Sequence, residues 1–92
     1  MPAMRIADAA NLWDLALLII ERRGFSLAIE TSVHEGEQWE TWVAEKEDVR
    51  LEAETPTALL GMTSIWSEAG TSWLHFDCGN INERVVERMR EE

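Results

Sequence analysis

The chain has one cysteine, two prolines, no tyrosine and only eight lysines and arginines in 92 residues, and the shortages of cysteine and of bases each remove a class of protein. A single cysteine, Cys78, cannot close an internal disulfide, so this is not a bridge-stapled secreted scaffold. A cytoplasmic location is the expectation. Long hydrophobic runs are missing too: the longest, residues 15–20, is bordered by Asp14 and Glu21 and falls far short of a membrane span. Nor does it fit a signal peptide, because Arg5 is offset by Asp8 and the run is followed by Glu21, Arg22 and Arg23, not by a small-residue cleavage site. No membrane association is expected.

The shortage of bases excludes more. Eighteen acids against eight bases give a net charge of −10, a field that repels phosphate backbones, whose capture depends on counterion release by Lys and Arg. The charge is uneven: residues 30–54 hold nine acids against Lys46 and Arg50, which places −7 of the −10 in one segment. Direct nucleic-acid binding is not expected. A basic protein is the partner that such a segment would steer.

What is present is a globular composition, with 46% hydrophobic and 28% charged residues and no low-complexity stretch. One domain spanning residues 1–92 is expected, without repeat or linker. Residues 8–23 read as a helix, with Asp8 as N-cap, Gly24 just past the end, and a stripe of Leu12, Leu15, Ala16 and Ile19. Trp13, Leu17, Leu18 and Ile20 put apolar groups on its other faces. A helix apolar all round needs cover all round.

Residues 25–33, 38–46 and 49–54 alternate in the manner of half-buried strands and predict a three-stranded antiparallel meander. Thr55-Pro56 opens a helix over 56–67, whose stripe is Ala58, Leu59, Met62, Ile65 and Trp66. In the C-terminal segment 72–90, residues 72–77 suit a short fourth strand, and Asn80 or Asn82 suits the cap of a last helix ending at Arg90. The fold class is therefore α+β: an α-β-β-β-α core whose sheet is covered on one face by helices. Double-stranded RNA-binding domains share that order of elements, but they present lysines at the start of the second helix, where this chain has Thr55-Pro56-Thr57.

No catalytic motif is present. Gly-rich phosphate loops, a GxSxG elbow and an HExxH helix are all missing, and the many carboxylates read as solvated strand faces and turns. Neither a cofactor nor a metal is expected, and the balance leans away from an enzyme. The competing reading is a small-molecule or metal binder, or a minor enzyme, built from His75, Asp77, Cys78 and His34. Convergence of the two histidines would make a site with carboxylates possible.

Five tryptophans are more than a small core accommodates. In strand 38–46, Trp42 shares a face with Glu40 and Ala44, and Trp39 shares the other with Thr41 and Val43, so one indole faces out. The expected function is a protein-interaction module, homodimeric, with an inhibitor or regulator of a basic partner as one form of it. The expected contact residues are Trp13, Leu17 and Ile20 on the first helix, with Trp39, Glu40, Trp42 and Glu52 on the sheet.

Overall fold

A computed structural model describes residues 4–74 and 77–90. It shows the expected α+β architecture, with three helices and one three-stranded antiparallel sheet in the order β1-β2-β3. The elements are α1 (Trp13–Arg22), β1 (Ser26–His34), β2 (Glu37–Lys46), β3 (Val49–Ala53), α2 (Pro56–Ala69) and α3 (Ile81–Arg90).

Asp8 does not cap α1. The chain is still extended at Ala9, a 3-10 turn spans Ala10–Leu12, and the α-helix begins only at Trp13, with no side-chain cap. At the other end Gly24 takes φ 93°, a value that glycine reaches without strain. Its N–H donates to the Glu21 carbonyl and that of Phe25 to the Ile20 carbonyl, at 3.0 and 3.4 Å. This left-handed cap folds Phe25 back onto Ile20, and both join the core. Lys46 completes the cap: its Nζ donates to the Arg23 carbonyl at 3.0 Å and lies 5.6 Å from the centre of the Phe25 ring. A cation there also complements the helix dipole.

The expected stripe of α1 is rotated in the structure. Ala16 and Ile20 are the buried residues, Trp13 and Leu17 are half-buried, and Leu15 is exposed. The spacing 13, 16, 17, 20 is that of one helical face. Leu15 and Leu18 therefore form the outer face.

The strand register places Leu27, Ala44 and Leu51 side by side, with Ile29, Trp42 and Ala53 in the next row. That face meets α1 and α2, and the central cluster is Ile20, Phe25, Ala44, Leu51 and Leu59. Helix α2 starts as expected, with the Thr55 hydroxyl accepting from the Ala58 N–H at 3.2 Å and Pro56 in the first turn. Its inward residues are Pro56, Leu59 and Thr63; Ala58 and Ile65 face out. Thr63 tolerates burial because its hydroxyl donates to the Leu60 carbonyl at 2.7 Å and accepts from Arg23 Nη1 at 2.8 Å. The same guanidinium nitrogen reaches Ser64 at 3.1 Å and ties the end of α1 to α2.

A fourth strand does not begin where it was expected. Gly70–Ser72 form a 3-10 turn and Trp73 and Leu74 continue as a turn; His75 and Phe76 lie outside the described residues. The Asp77 carboxylate then accepts from the Gly79 N–H at 3.0 Å, and Asn80, with φ 57°, leads into α3.

Candidate interaction surfaces

Strand lengths create the first surface. β1 and β2 have nine and ten residues, but the five residues of β3 pair only with Trp42 to Lys46. Residues 30–41 are consequently a two-stranded arm that projects beyond β3. From Ala28 to Glu40 every residue is exposed, on both faces. The arm carries Glu30, Glu35, Glu37 and Glu40 with no lysine or arginine, together with exposed Val33 and Trp39. Its tip is a two-residue turn in which Glu35 and Gly36 both have positive φ, the geometry that matches strand twist. Isolated hairpins are marginal in water, so an uncovered arm of this composition is suited to contact with another molecule.

The outer face of the sheet proper is organised around Arg50. Its guanidinium reaches across β2 to Glu30 at 2.6 Å, with Glu52 at 3.4 Å and Glu45 at 3.7 Å. Val43 lies on this face between Ala28 and Glu52, yet it is only 1% exposed. The Arg50 side chain, running from β3 to its bond with Glu30 on β1, crosses the strand that carries Val43. Hydrogen bonding from Arg50, then its charge, holds the Glu30 carboxyl below its ordinary value of 4.5. The lowered folded-state value means that the pair stabilises the protein above the ordinary carboxyl pKa and that this contribution fades as pH falls through the folded-state value. Acid titration of the denaturation midpoint should therefore fall more steeply in the wild type than in Glu30→Gln below about pH 4.5. Equal slopes would remove the pair from the stability account.

The predicted contact residues fall into separate groups. Ile20 has no exposed surface and belongs to the core, a correction to its expected place on the outer face of the first helix. Its burial follows from the rotated stripe of α1. Trp13 and Trp42 meet edge-to-face, with ring centres 6.1 Å apart at 69°, and both are half-buried, as is Leu17. Trp39 is 50% exposed on the opposite face of β2. Glu40 is exposed on the arm, and Glu52 accepts from Arg50.

His34 closes the arm opposite Glu37, and His75 lies outside the described residues. Asp77 serves the turn before α3, and the Cys78 carbonyl accepts from the Ile81 N–H at 3.2 Å. Among the described residues no three His, Cys, Asp or Glu side chains gather where a metal ion would be held.

Two further surfaces were not among the expected contacts. α3 has no buried residue, and Ile81, Val85, Val86 and Met89 are all exposed. Beside β3, a groove of about 540 Å³ is lined by Val49, Leu51, Met62, Ile65, Trp66 and Trp73. Trp73 is 58% exposed there. Its signal in the sequence was an indole following Gly70, where α2 ends, too local a feature to reveal a groove.

Among the described residues no helix is long and apolar enough to cross a membrane. No protein-family model, curated protein or solved structure matches the chain.

Proposed function

We propose that this chain is an acidic protein-interaction module that works as a homodimer in the cytoplasm and uses its arm to hold, and thereby regulate or inhibit, a basic protein. The observation that carries this reading is surface area. A compact monomer of 10.5 kDa exposes roughly 5,400 Å², whereas this chain exposes 7910 Å². Its radius of gyration is 16.4 Å, against about 12 Å for a compact domain of this length. Much of the surplus is apolar: Leu15 and Leu18 on α1, Val33 and Trp39 on the arm, Ile65 and Trp73 by the groove, and the stripe of α3. Apolar surface on this scale is a contact surface, and symmetric self-association is the commonest way to bury it.

The three carboxylates of the arm outside the Arg50 cluster, Glu35, Glu37 and Glu40, together with Trp39, support the basic partner. Light scattering on the full chain should give twice the 10.5 kDa chain mass, and 1 M salt should leave that mass unchanged because apolar burial dominates the contact over its charge pairing. A monomer at all accessible concentrations would overturn the self-association. Binding to a lysine-rich polypeptide should weaken with salt and with Trp39→Ala; indifference to both would remove the arm from the reading.

A further inference from the structure

The stripe of α3 and the groove beside β3 are two uncovered apolar surfaces on one chain. We propose that they cover each other between copies: α3 of one protomer lies in the α2–β3 groove of its partner, and the exchange is reciprocal. This rests on the homodimer proposed above and specifies how it is built.

The helix has the form of a docking element. Ile81, Val85 and Met89 succeed one another at four-residue intervals, with Val86 beside them. All four are at least 40% exposed. Ten residues make a helix about 15 Å long, and a free helix of that length is marginal in water. It has little intrinsic support, because Glu83/Glu87 and Arg84/Arg88 are like-charged neighbours one turn apart. Packing has to hold it.

Charge favours the same pairing. α3 carries three arginines against two glutamates, while residues 4–74 carry thirteen acids against five bases. At helical spacing Arg84 and Arg88 border the apolar stripe and the two glutamates lie behind it. A docked stripe therefore brings both arginines to a body of net negative charge, although at the groove itself Asp48 is accompanied by Arg50.

A second copy, not the same chain, is the occupant because none of the residues of α3 is buried on its own body, while each copy presents both the stripe and the groove. The roughly 2,500 Å² by which each protomer exceeds a compact monomer also includes the arm and the outer face of α1, so the helix exchange covers part of it.

The test uses full-length chains. Val85→Asp combined with Met89→Asp places two carboxylates in the docked stripe and should raise the dimer dissociation constant at least about 100-fold, with the helical circular-dichroism signal of the body retained. In a Cys78→Ser background, chains carrying Ile65→Cys and chains carrying Val85→Cys should form a mixed disulfide when combined. A wild-type monomer would overturn self-association itself. A dimer that keeps its affinity in the double-aspartate variant would overturn the helix exchange alone. A chain carrying both cysteines that closes only on itself would overturn the second copy as occupant.

Discussion

Trp42→Ala should lower the stability of the protein by about 3 kcal/mol, the loss typical of a truncated core aromatic, and Trp39→Ala by less than about 0.5 kcal/mol. The two residues are three apart on one strand and differ in what they touch. Trp42 packs against the central cluster and meets Trp13 edge-to-face, a geometry worth about 1 kcal/mol beyond area alone. Trp39 stands half-exposed on the other face of an uncovered arm. Denaturant midpoints at one fixed protein concentration separate them. Equal losses would show that the arm is packed as tightly as the core.

Ile20→Ala should cost about 4 kcal/mol. The side chain has no exposed surface, and it is the residue onto which the Gly24 cap folds Phe25, so its loss opens a cavity at the centre of a small core. A chain of this length holds roughly 5 to 14 kcal/mol in total, so the variant keeps roughly 1 to 10 kcal/mol of it. Leu18→Ala, on the outer face of the same helix, should cost less than about 1 kcal/mol. Denaturation of both variants checks this contrast. Full stability in Ile20→Ala, with self-association lost, would return Ile20 to the contact surface.

That residue shows where the sequence is legible and where it is not. The end of α1 was readable because Gly24 is the residue that a left-handed cap favours, and the start of α2 because Thr55-Pro56 offers an acceptor and a pre-set φ. Strand alternation sufficed for the meander, since a one-residue slip would turn every side chain to the wrong face. The inward face of α1 was not readable: residues 12, 15, 16, 19 and residues 13, 16, 17, 20 are both apolar stripes, and only the closure of Phe25 onto Ile20 decides between them. Thr63 was missed because a threonine reads as polar until Arg23 and the Leu60 carbonyl are placed beside it.

The candidate surfaces divide in the same way. The arm was present in the strand lengths, because two long strands next to a short one leave a ribbon without a third neighbour. That Trp39 and Trp42 point to opposite faces followed from period two. The groove depends on how α2 crosses β3, and no local pattern carries that information. The last helix was expected, but its lack of any buried residue emerges only when the body is seen to leave it uncovered.

Hydrogen exchange of the α3 amides as a function of protein concentration tests the central claim most directly. A ten-residue helix without a partner frays and exchanges close to the rate of an unstructured peptide. If copies hold one another through α3, amides from Arg84 to Arg90 should be protected at high concentration, and their protection should fall together with the dimer on dilution. Exchange at the unstructured rate at every concentration, in a sample that light scattering shows to be dimeric, would contradict the account.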